Sequence, residues 1–415
     1  MLVYVQDQER KPLMPTRRCG AVRRWLKSGR ARVVRREPFT IRLVDRAGGY
    51  TQHLQAGVDL GTAHVGVAVV SAQEEVFSGE FRLRTDVSGL LTERRQFRRA
   101  RRSRKCRHRP PRFRNRRRRD ELAPSVRAQV AETLRVVRLV EGLLPVAAWT
   151  FEIGNFDPHQ LVHPDVQGVG YQQGEQYGFA NVREYVLWRD RHTCQACRGQ
   201  SGDPRLTVHH LRQRQERGSD RPANLITLCR TCHQRHHQGP PLTLPRPPES
   251  VRDATQLNVV KTFVMRALAH LPHAVTFGYV TKSRRQALGL EKSHLNDAFV
   301  IAGGQVPARA ANTYLGAFAR RQNRKLHKGS RSHIRNTIPQ AHGFKRGDRV
   351  RLADGQEGFI AGLRSSGYFD VRRLDGTVLS HSAGHSTLGR VEGARTLRIE
   401  CVATKKGGMA ASSRR

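Results

Sequence analysis

The chain has 415 residues, enough for two or three domains with hydrophobic cores of their own. Its 75 Lys and Arg against 34 Asp and Glu give a formal charge of +41, which would repel itself without a polyanion, so nucleic acid is the expected partner. No segment reads as a signal peptide or a membrane span, and seven cysteines do not suggest a secreted disulfide framework. We expect an intracellular protein without a membrane partner.

The first fifty residues contain two strand-like runs, LVYVQ and FTIRLV, with a short basic helix between them. Pro12 and Pro15 are expected to bracket a rigid turn. Residues 53–83 alternate apolar and polar positions in three runs joined by short turns, which predicts an antiparallel meander. Asp59 lies near the end of its first strand, where neighbouring glycines keep the backbone open.

An arginine run follows the meander. From Arg94 to Arg119, 16 of 26 residues are Lys or Arg and none is acidic. Such runs are usually solvated tails, but this one lies inside the chain and its arginines fall on every face of a helix, so we expect it to bind a polyanion. The candidate nucleic-acid-binding residues are Arg94, Arg95, Arg98, Arg99, Arg101, Arg102, Arg104 and Lys105.

The rest of the chain alternates helical and strand-like segments. A helix over 124–144 precedes a strand that carries Glu152, and a Pro-rich linker at 238–250 leads to a helix at 255–270, a strand at 273–280 and a helix from about 292. We expect weak structure over 304–340. Short alternating strands with DG and SG turns then predict a small C-terminal β-barrel.

Two cysteine knuckles lie near the middle of the chain, Cys194-x2-Cys197 and Cys229-x2-Cys232. Four thiolates at this spacing, in a reduced compartment, are typical of a structural zinc site. The alternative, four free core cysteines, explains the spacing less well. Zn2+ would stabilise a loop-rich module that is too small to fold by burial alone.

A pattern typical of hydrolytic sites lies between and after the knuckles. His209 and His210 end a strand-like run, so one imidazole can bind a metal ion while the other reaches a water. We expect His210 to act as base and Asn224 to orient its imidazole. His209 and His233 would hold one Mg2+ ion. This order of His-His, Asn and Cys-x2-Cys-His is the HNH, or ββα-metal, pattern.

A second site is predicted from side chains that are far apart in sequence. Asp59, Glu152 and Asp297 offer the hard oxygen ligands that Mg2+ or Mn2+ prefers. His294 and Asp297 are three residues apart on a predicted helix and therefore share a face, and His294 is a candidate base or proton shuttle. A strand-borne Asp, a strand-borne Glu and a helical His-x-x-Asp resemble the RNase H-like active site of RuvC-type nucleases, where two metal ions hold the attacking and leaving oxygens.

The whole arrangement resembles the IscB family, transposon-encoded relatives of the type II CRISPR effector nucleases; Pro12-Leu13-Met14-Pro15 is the tetrapeptide that names that family's PLMP domain. The resemblance implies a multidomain α/β protein with a split RNase H-like (RuvC) core and an inserted zinc-bound HNH module. Its implied parts are a PLMP-like domain (1–50), RuvC segments (51–92, 120–160 and 251–302), an arginine-rich bridge helix (93–119), an HNH domain (171–240), a basic RNA-contacting segment (303–340) and a small β-barrel that contacts RNA and the target-adjacent motif (341–415).

The family resemblance also implies a function. A guide, or omega, RNA would bind the protein as a monomeric ribonucleoprotein and pair with one strand of duplex DNA. HNH would cut that strand and RuvC the displaced strand, with Mg2+ or Mn2+ at both sites, in a prokaryotic cytoplasm and on the nucleoid when at a target. A guide-independent HNH nicking endonuclease, a junction resolvase and a non-catalytic RNA-binding zinc protein are the alternatives, and each leaves one set of residues unexplained.

Overall fold

The computed structural model describes residues 2–103, 122–154, 157, 159–216, 218–240, 242–249, 251–305, 309–319 and 338–403. It divides into two compact units, one of Met1–Gly154 with Val259–Arg415 and one of Asn155–Asn258. None of the helices in the described ranges is long and apolar enough to cross a bilayer.

The chain begins with a small sheet of β1 (Val3–Gln6), β2 (Pro12–Thr16), β3 (Ala31–Arg35) and β4 (Thr40–Leu43), in the order β2-β1-β4-β3. Helix α1 (Cys19–Lys27) places Val22 in the apolar cluster of this sheet. Pro12 and Pro15 lie in the edge strand β2, so the expected rigid turn is wrong. An edge strand accepts proline because the missing N–H need not face a partner.

A mixed sheet of seven strands forms the centre of the larger unit. Its antiparallel meander is β5 (Leu54–Leu60), β6 (His64–Val70) and β7 (Glu75–Arg82), as predicted. β8 (Val146–Glu152) and β11 (His273–Thr276) extend it in parallel from β5, while β12 (Asn312–Phe318) lies parallel to β7 and β18 (Leu397–Ala403) antiparallel to β12. The meander strands are almost continuously buried, which indicates that both faces of the sheet are covered.

Helices cover the two faces of this sheet. α3 (Pro124–Glu141) and α6 (Arg252–Ala267) contribute to the apolar cluster that contains Leu54, Val58 and Val67. α8 (His294–Ile301) packs with Ala68 and Val70, which alternate with that set along β6. It approaches closely because Gly57 and Gly66 face it; a Cβ at Gly57 would lie 2.2 Å from the carbonyl oxygen of Ala298.

Three segments differ from the sequence predictions. The strand expected over 273–280 ends at Thr276, and α7 (Gly278–Ala287) follows. Weak structure was the wrong expectation for Asn312–Phe318, which is strand β12; residues 306–308 and 320–337 lie outside the described part of the chain. Helix α2 (Val87–Ser103) begins the arginine run, and 104–121 lie outside the described residues.

The C-terminal strands form two structures. β13 (Arg349–Arg351), β14 (Glu357–Gly362), β15 (Tyr368–Arg372), β16 (Val378–Gly384) and β17 (Gly389–Glu392) make a sheet in the order β16-β15-β14-β13-β17, with β16 and β17 at its edges. The next strand, β18, belongs to the seven-stranded sheet. The predicted small β-barrel is therefore not confirmed.

The second unit is built on a hairpin. β9 (Leu206–His210) pairs antiparallel with β10 (Leu225–Cys229), with His210 opposite Leu225. α4 (Val182–Arg189) and α5 (Arg230–Gln238) pack against it. Its apolar core is small and includes three of the knuckle cysteines, so side-chain burial alone gives this unit little stabilisation.

Candidate functional site

The four knuckle cysteines converge on one point of the second unit. The Sγ atoms of Cys194, Cys197, Cys229 and Cys232 all lie within 4.8 Å of one another, and those of Cys197 and Cys229 are 3.9 Å apart. A tetrahedral zinc site with Zn–S bonds of about 2.3 Å separates its sulfurs by about 3.8 Å. The cluster fits Zn2+ in both donor type and spacing.

The protonation of the cysteines is unequal. Hydrogen bonding to Ser201 lowers the pKa of Cys197 to about 6, whereas burial raises the pKa of Cys232. Ser201 Oγ also lies 3.1 Å from Cys229 Sγ. Because the thiolate is the metal-binding form, the lowered pKa of Cys197 favours metal binding at that sulfur.

Three histidines form a second cluster beside the hairpin. The ring nitrogens of His209 at the end of β9 and of His233 and His237 on α5 lie within 4.8 Å of one another. His209 and His233 were predicted to lie together from the sequence, whereas His237 was not predicted as part of the site. The available signal was the His-x3-His spacing, which puts both imidazoles on one face of a helix.

Two of these imidazoles, those of His209 and His233, have a lowered pKa. Burial, with the neighbouring histidines, lowers the pKa of His209 to about 4, and the same causes lower the pKa of His233. Neutral imidazoles present lone pairs, so the donor set fits a divalent cation. Imidazole is a ligand preferred by first-row transition ions, whereas Mg2+ prefers oxygen, so the residues alone favour the former.

His210 has a different partner from the one expected. Its Nε2 lies 2.7 Å from Oδ1 of Asp220, whose carboxylate is also held by Arg214. Hydrogen bonding to His210 is the main cause that lowers the pKa of Asp220. Asp220 was not predicted from the sequence, since an acid in a loop carries no local signal.

Asn224 closes the loop after β9 and its hydrogen bonds do not reach His210. Its amide nitrogen donates to the carbonyl oxygens of Arg212 (3.0 Å) and Ser219 (2.7 Å), and its carbonyl oxygen accepts from the Arg212 N–H (3.0 Å). The expected contact between Asn224 and His210 is therefore wrong. Asn224 instead fixes the loop that carries Asp220.

The four residues of the predicted carboxylate site lie together in the larger unit. Asp59 on β5 and Glu152 on β8 are register partners in adjacent parallel strands and so share a face. His294 and Asp297 come from α8, which packs on that face, and His294 Nδ1 lies 2.5 Å from Asp59 Oδ2. The carboxylate oxygens of Asp59, Glu152 and Asp297 do not all come within 4.8 Å of one another, unlike the ligand atoms of the two clusters above.

Cationic side chains surround these acids. Arg285 Nε approaches Asp297 Oδ1 to 2.8 Å without hydrogen-bond alignment, and Lys261 Nζ donates to the carbonyl oxygen of Gly154 close to Glu152. The His64 ring stacks on His294, with centroids 5.6 Å apart. Sequence analysis missed Arg285, Lys261 and His64, which carry no motif.

Burial and mutual repulsion oppose the ionisation of the acids in this site, despite the cationic side chains around them. Burial, and then repulsion from Asp59, raises the pKa of Asp297. Burial is also the main cause that raises the pKa of Glu152, and the hydrogen bond to Asp59 raises the pKa of His294. Several acids whose ionisation is opposed by burial and by each other are typical of a cation site.

Comparison with known proteins identifies both halves of the pattern. Residues 3–174 match the family model described as RRXRR protein, and residues 194–239 match the model described as HNH endonuclease. The two matches support the resemblance to an IscB-like HNH nuclease. The resemblance stated from the sequence is confirmed.

The two matches cover most candidate residues of this IscB-like chain. The RRXRR match contains Asp59, Glu152 and the arginine run, and the HNH match contains the cysteine and histidine clusters. His294 and Asp297 lie outside both. Arg95, Arg98, Arg99 and Arg102 on α2 line one surface cavity and Arg94 is exposed beside them, while the Arg101 side chain, Arg104 and Lys105 lie outside the described part.

A search of the curated proteins gives no match. Among solved structures, the chain is similar to Streptococcus thermophilus Cas9 in complex with the AGAA PAM, with a TM-score of 0.30 and 12% sequence identity. The match covers 43% of this chain and 26% of that Cas9 chain, so the chain spans about a quarter of the length of the Cas9 it matches.

Proposed function

We propose that this protein is an RNA-guided, metal-dependent DNA endonuclease with two nuclease sites. The observation that carries the proposal is the presence, in one chain of charge +41, of a histidine cluster inside an HNH domain and a separate carboxylate cluster on a central sheet. A guide-independent HNH nickase accounts for the first cluster alone, and a non-catalytic RNA-binding zinc protein accounts for neither His210 nor Asp59.

In the HNH domain, His209, His233 and His237 are the proposed metal ligands and His210 is the proposed base. A divalent cation bound by these imidazoles would stabilise negative charge on the scissile phosphate. With Nε2 donating to Asp220, the imidazole of His210 presents Nδ1 to accept the proton of the attacking water. The four cysteines would hold structural Zn2+, which would stabilise the positions of β10 and α5.

The carboxylate site is the proposed RuvC-type site. Asp59, Glu152 and Asp297 would hold Mg2+ or Mn2+, which supplies charge stabilisation at the attacking and leaving oxygens. His294, held on Asp59 at 2.5 Å, is the proposed proton shuttle. The antiparallel meander extended by the parallel strands β8 and β11, with an acid at each of two adjacent strand ends, supports an RNase H-like core assembled from 51–92, 120–160 and 251–302.

Guide RNA is the proposed source of sequence specificity. The exposed arginines of α2 offer contacts to a phosphate backbone and no base-reading pattern, which is what a nuclease needs if base pairing supplies recognition. We propose that the protein works as a monomeric ribonucleoprotein on duplex DNA in the prokaryotic cytoplasm, with 303–340 and 341–415 contacting RNA and a target-adjacent motif.

The decisive experiment purifies the protein with its co-expressed RNA and follows each DNA strand by end labelling. We expect a discrete RNA to co-purify and cleavage of both strands to stop when that RNA is removed. Asp59→Ala should cut only the guide-paired strand and His210→Ala only the displaced strand. If cleavage were unchanged without RNA, the protein would be a guide-independent nickase. If either variant lost cleavage of both strands equally, the proposal of two independent sites would be refuted.

A further inference from the structure

A pocket lined by arginines lies in the larger unit, and none of the proposed nuclease residues contributes to it. Its volume is about 230 Å³, and arginines enter it from β3, α3, β13 and the segment that ends in β18. Three parts of the unit therefore supply positive charge to one cavity: the N-terminal sheet, the central sheet with its helix, and the five-stranded sheet. The six arginines are Arg35, Arg135, Arg138, Arg349, Arg395 and Arg398.

Only part of this charge is neutralised by the protein. Glu37 and Glu357 bind the buried Arg349 at 2.6 and 2.9 Å, and Glu392 binds Arg395 at 2.8 Å. Within the described residues, the guanidinium groups of Arg35, Arg138 and Arg398 have no carboxylate partner within 4 Å. The cavity therefore keeps an excess of positive charge after its own acids are counted.

The arginines in and around this pocket repel one another, and burial also opposes their positive charge. Burial, and then repulsion from Arg395, lowers the pKa of Arg35, and burial with repulsion from Arg346 lowers the pKa of Arg398. The Nε atom of Arg398 is buried without a hydrogen-bond partner. Such groups destabilise the ligand-free fold. A bound anion with several acceptor oxygens would compensate the buried charge, reduce the repulsion between the arginines and accept a hydrogen bond from Arg398 Nε.

The backbone is shaped to admit the Arg398 guanidinium. Gly347 has a φ of +92°, and a Cβ at this position would lie 2.0 Å from Nη2 of Arg398. The guanidinium therefore packs against the main chain at a position where a larger residue would collide with it. This packing restricts the movement of a planar donor group that suits bidentate recognition of a phosphate.

We propose that this arginine pocket binds a phosphate group of a nucleic-acid strand and holds that strand where the three parts of the unit meet. The proposal rests on the proposed action on nucleic acid, but it needs neither nuclease site. RNA and DNA strands share the phosphate chemistry, so the test uses both.

The test measures how binding to two probes depends on salt, using the full-length protein freed of co-purified RNA. The probes are a fluorescein-labelled 20-nucleotide single-stranded RNA and a 20-base-pair DNA duplex. For Arg398→Gln we expect the slope of log K against log salt to become shallower by about 0.7 for the RNA or about 0.9 for the duplex, the loss of one phosphate contact. The probe that shows this change is the source of the phosphate.

Two further variants separate binding from structure and from overall charge. Gly347→Ala keeps the charge but displaces Arg398, and should weaken the same probe. Arg23→Gln removes an exposed arginine of α1, outside the pocket and outside the segments proposed to contact nucleic acid, and should leave the slope unchanged. The ligand-free melting temperature of Arg398→Gln should stay equal or rise, because a buried and mutually repelling charge is removed.

Wild-type slopes for both probes in Arg398→Gln would overturn the proposal. If the melting temperature also fell, Arg398 would be a structural residue. Guided cleavage is measured separately. If the protein showed no guided cleavage but the slope still changed in Arg398→Gln, the proposed function would be refuted. The proposal that the pocket binds phosphate would still hold.

Discussion

The close contact between α8 and the central sheet gives a sharp test of how the carboxylate site is positioned. A Cβ added at Gly57 would lie 2.2 Å from the carbonyl oxygen of Ala298 and 2.3 Å from the amide nitrogen of Ala302. Both atoms are main chain and cannot rotate away. Ordinary contact begins at 3.4 Å, so α8 would have to withdraw by about 1.2 Å in Gly57→Ala.

That shift affects both folding and catalysis. Overpacking of this kind costs about 1–3 kcal/mol. The same movement carries His294 and Asp297 away from Asp59, and a displacement of about 1 Å can reduce the rate of a chemical step about 100-fold. We therefore expect cleavage of the displaced strand to fall about 100-fold, with cleavage of the guide-paired strand unchanged.

The assay is strand-specific end labelling under single-turnover conditions, with circular dichroism to confirm folding. Gly20→Ala is the matched control, because a Cβ there meets no atom within 4 Å and the helical position accepts alanine. If folded Gly57→Ala cut the displaced strand at the wild-type rate, α8 would not be the element that positions the site.

Three more predictions concern the HNH domain. In His237→Ala, cleavage of the guide-paired strand should be slower at limiting Mn2+ and should partly recover at higher Mn2+, since two of three imidazole ligands persist. Rates measured across a Mn2+ titration test this prediction. A titration curve equal to that of the wild type would contradict a ligand role for His237. Cys229→Ser should lower bound zinc, measured by mass spectrometry, together with the melting temperature of the insert. Without metal, the folded-state pKa of His209, about 4, lies below the unfolded value near 6.5, so its contribution to stability is present above about pH 6.5 and declines as pH falls toward 4. Denaturation at pH 7.0, 5.5 and 4.5 should show this loss in wild type and less of it in His209→Gln; equal losses would refute it.

Sequence spacing predicted those parts of the sites that are local. Cys-x2-Cys knuckles, adjacent histidines on a strand and His-x-x-Asp on a helix fix directions within one element, and the structure places these side chains as neighbours. Their catalytic roles stay predictions. The meander was also predictable, because alternation and short turns are visible in one stretch of sequence.

What sequence did not predict depends on contacts between distant segments or on loop geometry. β12 pairs with β7 across more than 200 residues, and no local pattern specifies such a partner. The contact between His210 and Asp220 follows from the loop that Asn224 closes, so an assignment from motif order gave Asn224 the wrong neighbour. β18 was assigned to a barrel because its alternation suits either sheet.

The second unit is inserted between two segments of the larger unit that both contribute to the carboxylate site. Its insertion point explains how the chain accommodates about a hundred residues there without disrupting that site. The chain leaves the larger unit directly after Glu152, at the end of β8, and returns in α6. The two ends are joined inside the larger unit, since Lys261 Nζ donates to the carbonyl oxygen of Gly154 at 2.7 Å and Ile153 N donates to Thr276 O at 2.9 Å. Because these bonds hold the end of β8 on both sides, Glu152 keeps its register with Asp59 whatever the loop contains. Closing a long loop costs little more than closing a short one, so the sheet can keep its carboxylate cluster while the connection between its strands folds as a second unit.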